Sequence, residues 1–313
     1  MKPSPLVPGR SAIAVIAPAG PPRSLRDLHR GCEILASRGY RIAGPPDRPP
    51  YGFLAGTDDE RAAELNDALR DPSIDALFCA RGGYGAMRIL DRIDYDALRA
   101  RPRLLVGYSD ITALQLAWLS QAGVPSISGP MVGVDWPTID PQREAQFWSL
   151  ACGGIPTLDP GGDALVPVRA GAAEGTLIGG NLSLIARLIG TPYLPSLDGA
   201  ILFLEDVGEA PYRIDALLCQ LRLAGLLDTL AGVVLGGFTG FPDPDNDPGL
   251  FEGVIEAYFG GASYPVARGL PYGHFPEKIA LPIGIHARLT VSGSHAALAL
   301  LEPVVGSSDY DLV

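Results

Sequence analysis

RLLVGYSDITALQLAWLSQAG, Arg103 to Gly123, is the stretch from which the rest of the chain can be read. Leu104, Leu105 and Val106 form a short apolar run of strand type. Gly107-Tyr108-Ser109-Asp110 interrupts it, and from Ile111 the apolar spacing turns helical until Gly123 ends it. A serine at such a strand-to-helix junction has the geometry of a nucleophile elbow. The turn lifts the hydroxyl out of the sheet, and the helix N-terminus behind it offers backbone N–H groups to an oxyanion. The same residues also fit a plainer role, because Ser-Asp opening a helix is an ordinary N-cap pair.

The segments before the elbow alternate. Ile13–Ala17 reads as a strand, Leu25–Gly39 as a helix closed by Gly39, Tyr40–Ala43 as a strand, and Pro45–Pro50 as a proline loop. Thr57-Asp-Asp-Glu60 is a capping box that opens the helix Arg61–Arg70. Ile74–Ala80 is the next strand, followed by Arg81-Gly-Gly-Tyr-Gly85 and a helix through Leu90. Alternation with short connections predicts an α/β fold with a doubly wound, mostly parallel sheet over residues 1–140. Such sheets bind ligands at the carboxyl ends of their strands, where both Arg81–Gly85 and Gly107–Asp110 fall.

Periodicity fades over 141–174, where Gly153-Gly154, Pro156, Pro160-Gly161-Gly162 and Pro167 read as turns in a linker. Residues 175–313 read as a second, smaller, mixed α/β domain. Its elements are a strand Gly175–Ile178, a turn Gly179-Gly180-Asn181, a helix Leu182–Ile189 and a buried strand Ala200–Leu204 ending in Glu205-Asp206. Then come a helix Tyr212–Leu223, a strand Ala231–Leu235 and a hairpin, Arg288–Val291 with Ala297–Leu301.

Composition narrows the function. A hydrophobic content of 47% supports a packed core, and a net charge of −11 argues against nucleic acid as partner. Cys32, Cys79, Cys152 and Cys219 are scattered without a CxxC pair, so neither zinc nor a disulfide framework is indicated. Prolines at 3, 5 and 8 precede Ile13–Ala17 and Pro18 follows it, which favours a buried strand over a signal core. No apolar run reaches membrane-spanning length, and the expectation is a soluble, cytoplasmic protein.

A nucleophilic serine needs a base, and the base an orienting carboxylate. His274, in the loop GLPYGHFP, is the candidate base; His29, His286 and His295 have no comparable setting. Glu205 ends an apolar strand, and Asp206 and Glu209 compete with it for the carboxylate role. The order Ser…Glu…His matches that of α/β-hydrolases, but Ile111 stands where G-x-S-x-G has glycine, so that fold is not assigned. Arg81–Gly85 lacks the Lys-Ser/Thr of a P-loop.

Seven pieces together resemble the LD-carboxypeptidase family, serine peptidases that include muramoyl-tetrapeptide carboxypeptidases and microcin C self-immunity proteins. They are IAVIAPAGP, AGTDDERAAELNDAL, ARGGYGAMRIL, GYSDITAL, GGNLSLIARLIGTPY, LFLEDVGEAPYRID and GHFPEKIALPIG, in this order across nearly the whole chain. The resemblance implies an amidotransferase-like N-terminal domain and a C-terminal domain, with Ser109 as nucleophile, Glu205 as acid and His274 as base. It implies an oxyanion hole of backbone amides at Gly83, or its neighbour Gly82, and Asp110. It implies cleavage between an L-centre and a terminal D-amino acid, as in murein tetrapeptides, without metal or organic cofactor. A free terminal carboxylate needs donors, for which Arg81, Gly82 and the turn carrying Asn181 are candidates. A peptidyl- or aminoacyl-nucleotide of the microcin type is the alternative substrate, and a non-catalytic peptide-binding module the alternative class. Oligomeric state is left open between monomer and homodimer. Because neither cysteine nor histidine spacing suggests a ligand set, activity is expected to survive strong chelators and reductants. Loss in a chelator, restored by zinc, would show the site to be misread.

Overall fold

The computed structural model describes the chain except for residues 46–47, 159–164, 241–247 and 307–313. The Pro160-Gly161-Gly162 turn and part of the proline loop lie outside the described residues. The chain divides into two compact units. The first comprises Met1–Ile155, Ala280–Gly284 and the described residues from Pro303 on; the second comprises Pro156–Ile279 and Ile285–Glu302.

The first unit is built on short strands, fully buried except for the edge strand Arg41–Ala43. β1 (Ala12–Ile16), after which come α1 (Leu25–Ser37), β2 (Arg41–Ala43) and α2 (Asp58–Arg70), carries only small and branched apolar side chains, as a strand covered on both faces must. Then follow β3 (Ala76–Cys79), α3 (Tyr95–Ala100), β4 (Leu104–Gly107), α4 (Thr112–Ala122) and β5 (Ser126–Ser128). The strands are parallel in the order β2-β1-β3-β4-β5, and a late segment, Leu281–Ile283, adds an antiparallel strand beside β5. The chain steps outward from β1 to β2, then crosses back over β1 to β3. The loops leaving β1 and β3 therefore diverge, which opens a crevice at their carboxyl ends.

Local signals explain most of these elements. Thr57 and Glu60 form the expected capping box, with Thr57 Oγ1 accepting from the Glu60 amide at 3.2 Å. The expected helix after Gly85 is a 3-10 segment, Ala86–Arg92. Asp94 caps a fresh helix, α3, directly behind it, its side chain accepting from the Ala97 amide. Part of the expected linker is a helix of the first unit. α5 (Pro141–Ala151) is capped by Asp140 with proline in its first turn, and Phe147 packs edge-on against Phe78 and Trp136.

The second unit holds β6 (Val166–Arg169), β7 (Gly171–Asn181), α6 (Leu182–Leu188), β8 (Ala200–Val207), α7 (Pro211–Leu223), β9 (Gly232–Thr239), α8 (Pro248–Phe259) and β10 (Val266–Arg268). The Leu281–Ile283 strand of the first unit is β11. β12 (Ile285–Ser292) and β13 (His295–Leu300) form the expected hairpin. The sheet order is β13-β12-β7-β8-β9-β10-β6, parallel from β7 to β10 and antiparallel outside. β8 is buried on both faces until its last residue, whereas β12 alternates buried and exposed residues and has one wet face. Gly179-Gly180-Asn181, expected as a turn, is the end of β7. A β-carbon on Gly179 would lie 2.0 Å from the Phe203 carbonyl oxygen, so the glycine serves close strand approach.

Gly31, inside α1, makes a similar approach: an added β-carbon would lie 2.0 Å from the Val132 carbonyl oxygen. In an open helix Gly→Ala gains about 1 kcal/mol. Here we expect Gly31→Ala to destabilise instead, by roughly 1–3 kcal/mol through overpacking. A thermal melt at or above that of the parent would contradict this.

Candidate active site

In the first unit the site is built at the carboxyl ends of β1, β3 and β4. Tyr108 continues β4 in extended conformation, then Ser109 turns to φ +65° and opens one 3-10 turn that runs into α4. Among the described residues Ser109 is the only non-glycine with positive φ. A side chain in that region is held at a cost of order 1–3 kcal/mol, and such outliers concentrate where function requires them. Gly107 makes the elbow possible. A β-carbon there would lie 3.0 Å from Ile111 Cγ2 and 3.1 Å from Cys79 Cβ. The glycine two residues before the serine is thus filled by the isoleucine two residues after it, which accounts for Ile111 where other elbows carry glycine.

The loop after β3 lies against the serine. A β-carbon on Gly82 would sit 3.0 Å from Ser109 Cβ and 3.3 Å from its Oγ, and Gly83 has φ +99°. Gly82 accepts from the Gly20 amide at 2.9 Å, and Asp110 Oδ2 accepts from the Ala86 amide at 2.8 Å. Arg81 donates to the Pro21 carbonyl at 2.9 Å, and burial pushes its pKa down. The fully buried Arg61, from α2, donates to the carbonyls of both Pro18 and Gly85 and pairs with Asp58. Sequence reasoning passed over Arg61, because a basic residue behind a capping box looks like an ordinary surface position. The Gly83 amide meets no acceptor among the described residues.

The second unit gathers the other candidates. Glu205, near the end of β8, is fully buried, and its Oε2 lies 2.7 Å from His274 Nδ1. The β8–β9 register shifts opposite Glu205, at Gly236-Gly237. Such irregularities re-aim side chains. The glycine pair also seats the histidine loop. β-carbons there would lie 2.4 Å from the Tyr272 carbonyl oxygen and 2.5 Å from Phe275 Cε1, and the Gly237 amide donates to Tyr272 at 2.8 Å. Tyr272 is buried edge-on against Phe203, 5.0 Å between centroids.

The competing acids part here. Glu209 faces Arg213 at 3.5 Å on an exposed turn, and Asp206 faces Asn181 and Ser183. Asn181 pairs with Glu205 across β7 and β8 and donates to its Oε1 at 3.2 Å. Within the first turn of α6, Ser183 N–H donates to Asp206 and Leu184 N–H to Asn181 Oδ1. Ser183 carried no motif of its own and was missed. The structure thus groups Arg81, Gly82, Gly83, Ser109 and Asp110 in the first unit, and Asn181, Glu205 and His274 in the second. His29, His286 and His295 are exposed, and among the described residues no group of three His, Cys, Asp or Glu is placed to hold a metal.

The backbone at Ser109 permits a test of strain. Left-handed conformation costs a residue with a β-carbon about 1–2 kcal/mol relative to glycine. Ser109→Gly is therefore expected to melt above both Ser109→Ala and the parent while losing the hydroxyl. Equal melting temperatures would mean the turn is unstrained.

Comparison with known proteins identifies the family. The model of the LD-carboxypeptidase N-terminal domain matches residues 13–129, and that of the C-terminal domain residues 174–289. The murein tetrapeptide carboxypeptidase of Pseudomonas aeruginosa is 36% identical over 75% of this chain and 78% of its own. The microcin C7 self-immunity protein of Escherichia coli is 27% identical over 82% of this chain and 83% of its own. The crystal structure of a muramoyltetrapeptide carboxypeptidase from Oxalobacter formigenes superposes with a TM-score of 0.80 at 32% identity, covering 93% of this chain and 98% of that one. The chain, with both of its domain models matched in order, belongs to the LD-carboxypeptidase family.

Proposed function

We propose that this hydrolase is a serine carboxypeptidase that releases the terminal D-amino acid of a murein tetrapeptide in the cytoplasm. The observation that carries the catalytic part is the strained serine elbow in one unit together with the buried Glu205–His274 pair in the other. The relatives' names support the substrate class. The amidotransferase-like description of the first domain rests on the sequence resemblance. No helix among the described residues is long and apolar enough to cross a membrane.

In this reading Ser109 Oγ attacks the carbonyl carbon of the scissile amide and passes its proton to His274. The oxyanion is taken by the amides of Gly83, or its neighbour Gly82, and Asp110, each worth about 3–4 kcal/mol of barrier. His274 returns the proton to the leaving amine as the C–N bond breaks, which leaves an ester on Ser109. Water, deprotonated by His274, hydrolyses that ester. Glu205 holds Nδ1 protonated, so that the other ring nitrogen faces the chemistry. Arg81 is the candidate donor for the terminal carboxylate. Asn181, also a candidate from sequence, already donates to Glu205 and Asp206 and fits that part less well. The partner is a small peptide; a homodimer is compatible with the mechanism and not needed by it.

The likeness to the microcin C7 self-immunity protein favours one second reading, hydrolysis of a peptidyl- or aminoacyl-nucleotide. Assaying an aminoacyl-sulfamoyl adenylate beside a murein tetrapeptide separates the two. A fluorophosphonate probe separates both from a binding module, which should not label.

The decisive set is three tetrapeptides ending in D-Ala, L-Ala or D-Ala-amide. Amidation leaves carboxylate donors facing a neutral group, at an expected cost of about 2–5 kcal/mol in kcat/KM. The L-form places its side chain where the α-hydrogen was and displaces the scissile carbonyl. Cleavage of either within tenfold of the D-acid would favour a general amidase. Glu205→Gln is expected to lower kcat by on the order of 10⁴, and Glu209→Gln to matter far less. The reverse ranking would move the carboxylate role to Glu209.

A further inference from the structure

Two carboxylates are buried side by side at the end of β8, and only one of them meets His274. Glu205 is 0% and Asp206 3% exposed. Among the described residues neither has a lysine or arginine partner. Every donor to Asp206 is neutral: Asn181 Nδ2 at 2.8 Å, Ser183 N at 2.9 Å, Ser183 Oγ at 2.7 Å and Val207 N at 2.8 Å. Two like carboxylates in a dry site repel each other, so a fold with no use for the second would do better with a neutral residue there.

The use lies in the direction of the hydrogens. A carboxylate only accepts, whereas amides and hydroxyls can present either end. Asp206 therefore makes Ser183 donate and turns the NH2 of Asn181 inward. That NH2 spans both acids, reaching Glu205 Oε1 at 3.2 Å, while Asn181 Oδ1 accepts from the Leu184 amide at 3.2 Å. Flipping the amide would set its oxygen against two carboxylates and its NH2 against an N–H donor. With Oε1 so engaged, Glu205 is left with Oε2 toward His274 Nδ1, at 2.7 Å.

We propose that Asp206 is a positioning residue. Acting through Asn181 and braced by Ser183, it locks the orientation of Glu205 and hence of the His274 ring. The inference rests on the reading of Glu205 and His274 as the catalytic pair.

The test uses the full chain with murein tetrapeptide, and kcat is normalised to sites titrated with a fluorophosphonate. Asp206→Asn keeps the shape but brings in a donor. It is expected to lower kcat about 10²-fold, as small misplacements of reacting groups do, with KM within about threefold. Ser183→Ala removes one brace and should lower kcat several-fold in the same sense. In protein labelled with ¹⁵N-histidine, the downfield Nδ1–H resonance of His274, identified by its loss in His274→Gln, should broaden or move upfield in both variants. A role in stability alone would lower the melting temperature and the titrated fraction but leave per-site kcat and the resonance in place, which would overturn the inference. So would a loss confined to KM. If Asp206→Asn does not fold, Ser183→Ala decides by the same two readouts. Glu205→Gln separates the failures. If it is inactive while both variants match the parent, only this inference falls. If it retains full kcat, the catalytic reading falls, and the resonance, which needs no turnover, still decides whether Asp206 orients the histidine.

Discussion

The first unit depends on holding Ser109 in left-handed backbone conformation. A β-carbon resists that conformation, which persists only where the surroundings leave no alternative. Ile111 closes onto Gly107 from one side, and Gly82 bears on the serine from another. Behind it, α4 is buried on nearly every face and cannot turn to relieve the strain. Gln115 adds a strap, with its Nε2 donating to the carbonyls of Gly107 and Ile127 at 3.1 and 2.8 Å. The strap leaves Gln115 Oε1 buried without a partner among the described residues, a cost of about 1–3 kcal/mol. The fold thus tolerates both a strained backbone and an unmet acceptor around one turn, and both are consistent with a turn retained for its hydroxyl.

Around that turn the loops are tied by backbone carbonyls, and a single buried cation does much of the tying. Arg61 reaches the loops leaving β1 and β3 together: its Nη1 donates to the Pro18 and Gly85 carbonyls while its Nη2 meets Asp58, an arrangement fixed by the planar guanidinium. Burial lowers its pKa, and Asp58 offsets part of that cost. Asp58 is in turn held by Arg88 at 2.7 Å, so the pair extends outward into an Arg–Asp–Arg string that ends at the surface. The Arg81–Gly85 loop therefore gets its shape from α2, although its glycines supply the freedom to take it.

The second unit solves the opposite problem. Among the described residues, it buries negative charge without a lysine or arginine partner and uses directed neutral donors instead. This requires two strand ends in register, Asn181 opposite Glu205, and a glycine pair in β9 that lets the histidine loop lie down on the sheet.

The sequence by itself determined the parallel first sheet, the capping box at Thr57, the elbow at Ser109 and the β12–β13 hairpin. Each of these rests on residues within a few positions of one another, where periodicity and turn chemistry act. It misjudged elements whose signals were short or ambiguous. β11 has three residues, too few to show a period, and the glycines of β7 read as a turn because close approach and turning demand the same residue. The Asp140-Pro141 start of α5 was lost among neighbouring glycines and prolines. The family resemblance names Glu205 as the acid, but only the tertiary structure shows it, and not Asp206 or Glu209, meeting the histidine. That hydrogen bond joins residues 69 positions apart. At such a separation the choice depends on how β7, β8 and β9 align, because a register step of one residue reverses the side of the sheet on which every side chain stands.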